Sequence, residues 1–417
     1  MYSEHSKNRV AVIGGGPAGM TAAIFAAQNG ADVTIFERNG KNRLGKKLAI
    51  TGKGRCNITN DCQRDEFLAN VPRNPRFLYS AYFSFPPQDV MAMFEDLGVP
   101  VKVERGKRVF PVSDKAQDVV NALMKKLNRE NVKICPAYVE GVEIVENGFI
   151  VKGREKSYEA DRVILATGGM SYQVTGSDGS GYEIAASLGH TVTPIKPSLV
   201  PMVCQGKLCP SMMGLSLKNI NLSILDNEKN GSTVYEDFGE MMFTHFGLSG
   251  PVVLSASAYL DDVKPGRYVA EIDLKPALNE EMLDSRILSD FSKELNKDYS
   301  NSLSALLPSK MIEPFVALTG ISPARKVNAI TKEERRKIVT TMKHFRIPIS
   351  GLRPIDEAII TSGGIDVKEI DPKTMESKLI PGLYFAGEII DVDAYTGGFN
   401  LQIAWSTGRL AGEHAAE

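Results

Sequence analysis

Cysteine and histidine are scarce in this 417-residue chain, with five of each. Cys56, Cys62, Cys135, Cys204 and Cys209 are odd in number and form no CxxC or Cys/His spacing. That excludes a disulfide-stapled scaffold and offers no zinc or iron-sulfur pattern, so reduced thiols and no metal are expected. An excess of charge of one sign is also missing, because 49 basic and 50 acidic residues leave a net charge of -1. Such a balance argues against a protein that wraps nucleic acid over its whole surface, although a local basic patch is compatible with it. No apolar run is long enough to span a bilayer, and the polar residues 1–9 lead into a strand without the apolar core of a signal peptide. The expectation is a cytoplasmic protein with no membrane insertion.

What is present begins at residue 10. An apolar run at 10–13 ends in Gly14-Gly15-Gly16-Pro17-Ala18-Gly19, an alanine-rich helix is predicted over 20–29 with Gly30 as its cap, and 31–37 reads as a second buried strand. This is one βαβ unit built around G-x-G-x-x-G. In that pattern Gly14 makes the tight turn, Gly16 lets a pyrophosphate approach the backbone, and Gly19 packs helix on strand. The helix N-terminus offers free N–H groups to phosphate, and Glu37 stands where an acid bonds a ribose hydroxyl.

Residues 41–60 are basic, glycine-rich and without apolar periodicity, which predicts an extended loop. A helix is expected over 114–128 with Ser113 as N-cap, a strand over 132–145, a hairpin near 149–151, and a buried strand at 162–166 opening onto Thr167-Gly168-Gly169. From 191 the texture turns to short strands between Pro, Gly and Asn. Residues 278–342 then read as helices at 280–295, 302–307 and 332–343, broken by Pro308, Pro314 and Pro323. After 355 strands and glycines return, with Gly387-Glu388 after a strand and Gly397-Gly398 before a final helix at 401–411. The expected organisation is a cofactor domain at 1–190 and 355–417, a β-rich insertion at 191–275 and 344–354, and a helical subdomain at 276–343. The C-terminal return to the cofactor and the turn after Ala166 favour FAD over NAD as the resident dinucleotide.

Five segments carry a resemblance to a known family: GKKLAITGKGRCNITN (45–60), RVFPVSDKA (108–116), Ala166 to Gly169, GEMMFTHFGLSGP (239–251) and GLYFAGEIIDVDAYTGGFNLQ (382–402). In this order they resemble the BaiN/RdsA flavoproteins, a branch of the glutathione-reductase-like FAD superfamily. The resemblance implies an α/β fold, a Rossmann-like FAD domain of glutathione-reductase type interrupted by a mostly β domain and a small helical subdomain. It also implies reduction of a C=C conjugated to a carbonyl, either in a 3-oxo bile acid or in a ribosomal uridine; an amine oxidase is a third relative. Two departures stand out. Residues 175–181 read TGSDGSG where relatives often read TGSTGDG, and Ala394-Tyr395 follow Asp391-Val392-Asp393 where relatives commonly place glycine first.

The residues expected at the cofactor are Gly14, Gly16, Ala18 and Gly19 of the turn, with Glu37 and Arg38 after the second strand. Lys46, Thr51, Gly54, Arg55 and Asn57 come from the basic loop, and Val139, Thr167 and Gly168 from the middle of the domain. Gly387, Glu388, Asp391, Gly398, Phe399, Asn400 and Leu401 come from the C-terminal return. Tyr395, Cys56 and His245 are the catalytic candidates. Against them, Cys56 lacks a CxxC partner and reads more readily as packing than as a redox catalyst, and a histidine near two phenylalanines, Phe243 and Phe246, is more often a core residue. NADH or NADPH is expected as a transient electron donor, although no second G-x-G-x-x-G follows a strand. The leading substrate expectation is a small apolar enone such as a 3-oxo-Δ4 or Δ4,6 steroid or bile acid. An RNA substrate comes second, carried by the basic run 41–55 and by Arg335, Arg336 and Lys337.

Overall fold

The computed structural model describes residues 7–40 and 43–417. Lys41 and most of the polar N-terminus lie outside them. The chain forms two compact units, one of Met1–Ser198 with Ile355–Glu417 and one of Leu199–Pro354.

The first unit is built on a five-stranded sheet in the order Leu383–Phe385, Arg162–Leu165, β1 (Arg9–Ile13), β2 (Asp32–Phe36), Lys133–Cys135. Every neighbouring pair is parallel. β1 lies at the centre, and its unbroken apolar run Val10 to Ile13 is buried, as a strand covered on both faces requires. Helix α1 (Pro17–Gln28) starts three residues earlier than predicted, because Pro17 occupies the first helical position, where its missing N–H costs nothing. Asn29 caps its C-terminus, and Gly30 follows in the left-handed region at φ +96°.

The predicted strand 132–145 is two strands. Pro136 separates Lys133–Cys135, which joins the parallel sheet, from Val139–Val145, which forms an antiparallel three-stranded sheet with Gly148–Gly153 and Ser157–Ala160. The predicted loop 41–60 contains a helix, α2 (Lys46–Gly54), whose regular turn ends at Thr51 with ψ 152°. Leu44 and Leu48, both buried, supply the apolar anchor that a count of glycines and lysines concealed. The helix predicted at 114–128 runs Ala116–Arg129 and is capped by Lys115; Ser113 reaches only the Lys115 N–H, at 3.4 Å.

Helix Phe399–Ala415 closes the unit by lying on α1. A Cβ on Gly408 would stand 2.5 Å from the Ala18 carbonyl oxygen, and one on Gly412 would stand 2.2 Å from that of Ala22. The two backbones touch, which only glycine at these positions allows.

Residues 191–198 stay with this unit rather than opening the insertion. Lys196–Ser198 pairs antiparallel with Ile360–Ser362. His190 is buried, its Nδ1 3.0 Å from Glu369 and its Nε2 2.8 Å from the Ser377 hydroxyl, and the Thr191 N–H donates to the same Glu369 carboxylate.

The second unit is a closed barrel of six strands: Met202–Cys204, Gly247–Ser249, Ser232–Phe243, Ser216–Asp226, Tyr268–Asp273 and Phe345–Leu352. Alternate residues of Tyr268–Asp273 point inward, as a small filled barrel requires. Helices Glu280–Ser292, Ser309–Thr319 and Lys332–Lys343 share one apolar cluster with the strands, Leu283, Ile287, Phe315 and Met342 packing with Ile272 and Ile347. They are not a subdomain with a core of their own. Pro314, expected as a break, sits inside Ser309–Thr319, and residues 302–307 form only short turns.

Two outcomes are expected. Gly412→Leu should cost about 2 kcal/mol by overpacking, read as a lower thermal midpoint; an unchanged midpoint would mean that the helices part freely. Burial holds His190 below the usual imidazole value despite the opposing pull of Glu369. The unfolded chain then takes up the proton first, so this contribution to stability is complete above about pH 6.5 and is lost as the pH falls through that value towards the folded one. The stability gap between the native protein and His190→Gln should therefore narrow on acidification; a constant gap in urea titrations across that range would refute it.

Candidate functional site

A cavity of about 1280 Å³, its open mouth included, lies at the C-terminal ends of the parallel strands of the first unit, where open α/β sheets place their ligands. The sheet order gives it two halves. Glu37 and Arg38 after β2 and Ala137, Tyr138 and Val139 beyond Lys133–Cys135 line one half, and Ala166, Thr167, Gly387 and Glu388 at the other sheet edge line the second. Gly14 to Gly16 stand between them.

The glycines of the turn divide the work. A Cβ on Gly14 would lie 2.4 Å from the Ala166 carbonyl oxygen and one on Gly19 would lie 1.9 Å from that of Gly14, so both are packing positions. At Gly16 a Cβ would meet nothing within 4 Å. The backbone there faces open cavity, at the N-terminus of a helix whose first internal bond is Met20 N–H to Gly16 O. The N–H of Ala18 is left for a ligand, as is usual in the first turn. The Thr167 hydroxyl, on the cavity wall, is buried without a partner. These features fit a bound dinucleotide phosphate.

Glu37 is buried, and its carboxylate accepts the Gly15 N–H at 3.0 Å and the Asn39 N–H at 2.9 Å. It braces the turn while still lining the cavity. Arg38 is ion-paired with Asp178 and stacks 5.2 Å from the Tyr138 ring centroid. Lys46 donates to the Val174 carbonyl, whereas Lys47 reaches Glu388 at 2.7 Å and the Ser171 hydroxyl at 2.8 Å.

A second helix N-terminus opens on the same space. Asn400, Leu401 and Ala404 of Phe399–Ala415 line it, and the first bond of that helix is Gln402 N–H to Gly398 O. The Asn400 side chain is engaged with both backbone polar groups of Ala394, at 2.8 and 2.6 Å, which leaves its backbone N–H and that of Leu401 for a ligand.

Gly14, Gly16, Ala18, Glu37, Arg38, Lys46, Thr51, Val139, Thr167, Gly168, Gly387, Glu388, Asn400 and Leu401 thus come together around one cavity. The other expected cofactor residues do not line it. Arg55 is held on the outer side by Glu104 and Asp114, with its guanidinium 4.1 Å from the Phe110 ring centroid, and it keeps the Glu104 carboxyl below its usual range. Gly54 ends α2 and Asn57 lies beyond it. Asp391 is buried against Arg73 at 3.5 Å and Asn74 at 2.7 Å. Gly398 presses on Thr59, where its Cβ would be 2.3 Å from the backbone, and Phe399 turns into the core towards Phe67, 6.1 Å between centroids. Lys47, another cation of the basic run, also lines the cavity, where the α2 register puts it; sequence reading missed Tyr138, which the break at Pro136 exposes.

The profile of the family described as HI0933-like protein Rossmann domain matches residues 8–414. The chain belongs to this HI0933-like family. A 3-dehydro-bile acid delta(4,6)-reductase of Clostridium scindens is 33% identical over 416 residues, 98% of this chain and 99% of that one. A ribosomal RNA dihydrouridine synthase of Escherichia coli is 31% identical over 402 residues, 95% of each chain, and one of Haemophilus influenzae is 31% identical over 413 residues, 97% of each. Among solved structures, the Mycobacterium smegmatis Sdh1 complex aligns with a TM-score of 0.51 at 17% identity, covering 98% of this chain and 68% of that one. The E. coli quinol fumarate reductase FrdA aligns at 0.50 and 17%, covering 98% and 70%. These structures share the fold.

The three catalytic candidates of this HI0933-like chain are not gathered at the cavity. His245 lies in the second unit, exposed and edge-on to Phe246 at 4.9 Å between centroids, so it is not a core residue either. Tyr395 is half-buried and its N–H donates to Asn70 O at 2.9 Å. Cys56 is wholly buried in the strained left-handed region at φ 60°, and burial pushes its thiol up to about 12. Iodoacetamide at neutral pH should leave Cys56 unmodified in the folded protein and label it after denaturation. Rapid labelling of native Cys56 in peptide mass spectra would overturn that assignment.

Proposed function

We propose that the cavity binds FAD and that the chain uses it, with NADH or NADPH as electron donor, to reduce a C=C conjugated to a carbonyl. A small apolar enone such as a 3-oxo-Δ4 or Δ4,6 steroid or bile acid is the substrate. The observation that carries this reading is that two helix N-termini, those of α1 and of Phe399–Ala415, open on one cavity. The first suits a pyrophosphate, and the second suits a ring that becomes anionic on reduction. FAD, when bound, supplies the two-electron carrier that no side chain can replace. Ala18 and Gly16 then hold the phosphates by backbone, Glu37 meets a ribose hydroxyl, and Leu401, Ala404 and Ile360 keep water from the wall of the second half.

Support for this chemistry comes from the relatives, since a bile-acid Δ4,6 bond and the 5,6 bond of uridine are both conjugated to carbonyls. The apolar substrate is favoured over RNA because cations of the basic run already have partners within the chain: Lys47 with Glu388 and Arg55 with Glu104 and Asp114. Arg335, in the second basic cluster, is likewise paired with Asp284. A uridine in ribosomal RNA remains the second reading, on the strength of the two relatives named for it.

The purified protein should be yellow, and Gly16→Val should lose the flavin absorbance while keeping the thermal midpoint of the flavin-stripped native protein. Incubation with NADH or NADPH and a 3-oxo-4,6-diene steroid should give a product heavier by two hydrogens in mass spectra. No reduction of the steroid, together with loss of one dihydrouridine from ribosomal RNA in a deletion strain, would replace the first substrate with the second.

A further inference from the structure

We propose that Lys47 is the cation that meets the negative charge of the reduced flavin ring and that Glu388 is the residue that positions it; the inference rests on FAD occupying the cavity. Lys47 and Glu388 both line that cavity and are paired at 2.7 Å, with side-chain exposures of 21% and 13%. Their place follows from the sheet. Gly14 to Gly16 and Glu37 mark the phosphate and ribose end at β1 and β2, whereas Glu388 follows Leu383–Phe385 at the opposite edge. The half away from the ribose is where the ring of the dinucleotide belongs.

Glu388 does not need Lys47 to be held. Its Oε1 accepts the Thr361 N–H at 2.9 Å and the Ser171 hydroxyl at 3.2 Å, and its other oxygen faces Lys47. Thr361 in turn accepts the N–H groups of Met170 and Ser171, at 2.7 and 3.1 Å. An ammonium has three hydrogens, and Lys47 directs two of them to Glu388 and Ser171. The third has no partner among the described residues and is left for a ligand. Lys46, by contrast, is turned to the Val174 carbonyl.

Reduction adds two electrons and one proton to the neutral ring and leaves one negative charge on it. The donor is a nicotinamide nucleotide, which is oxidised, or dithionite with a solvent proton in a titration. A cation fixed in a partly dry wall favours the reduced form, and its carboxylate partner moderates that effect.

Flavin-loaded native protein, Lys47→Met, Lys47→Arg and Glu388→Gln should be compared by dye-equilibrated reduction titration and by the dissociation constant of the flavin–sulfite adduct, which also gains from a nearby cation. Lys47→Met should be harder to reduce and bind sulfite about tenfold more weakly, Lys47→Arg should stay near the native values, and Glu388→Gln should shift both readings in the opposite direction to Lys47→Met. If Lys47→Met fails to retain flavin, the other two variants still decide, with Glu388→Gln expected to be easier to reduce than the native protein. Native values in flavin-loaded Lys47→Met, or a Glu388→Gln that is harder to reduce, would overturn the proposal. A native protein that neither purifies with FAD nor takes it up would overturn the functional reading instead.

Discussion

The contact on which the cofactor domain depends is the one between α1 and the C-terminal helix. Gly408 and Gly412 lie one turn apart, and their missing side chains let that helix rest on the carbonyls of Ala18 and Ala22. The same helix is held at its other side by the Trp405 indole N–H, which donates to Ile58 O at 2.9 Å, and by Gln402, which donates to Phe85 O at 2.6 Å. Its N-terminus therefore cannot drift from that of α1. Two sets of free N–H groups, contributed by residues almost four hundred positions apart in the chain, come to face one cavity because the C-terminal helix lacks side chains where it crosses α1.

The glycine-rich turn shows how the same residue type serves opposite ends. Gly14 and Gly19 are packed so closely that any side chain would collide with backbone, whereas Gly16 has open space where a side chain would be. The first two make the turn and the third makes the site. Gly387 belongs with the packing group, since its Cβ would stand 2.7 Å from that of Ala18. A glycine in a motif thus says that something comes close, and only the surroundings tell whether it is protein or ligand.

Much of this was legible in the sequence because it rests on local pattern. The strand, turn and helix from Val10 to Gly30, the buried strand before Thr167 and the glycine pair before the last helix are each set by a few adjacent residues. What the sequence hid depends on register and on distant partners. Arg55 sits among glycines and looks free to approach a phosphate, yet Glu104 and Asp114, some fifty residues on, claim it. Lys46 and Lys47 are indistinguishable by composition, and the helical register of α2 alone sends one to a carbonyl and the other to the cavity. Phe399 stands in the motif beside Asn400, but its ring belongs to the core while Asn400 lines the site. The strand break at Pro136 was readable and is the signal that would have found Tyr138.

The basic run shows why local charge is a poor guide to a partner. From Arg38 to Arg55 the sequence is rich in cations, which invites a phosphate backbone as ligand. In the fold Arg38 faces Asp178, Lys47 faces Glu388, and Arg55 faces two carboxylates. At these three positions a polyanion would have to displace a partner already in place, which cancels part of the Coulomb gain there. The same pairs have another effect when the ligand is small. A cation held by a carboxylate keeps a fixed position, and a fixed charge needs no reorganisation when a neighbouring ring changes its own. Arg38 and Lys47, both on the cavity wall, are each held still in this way by a carboxylate.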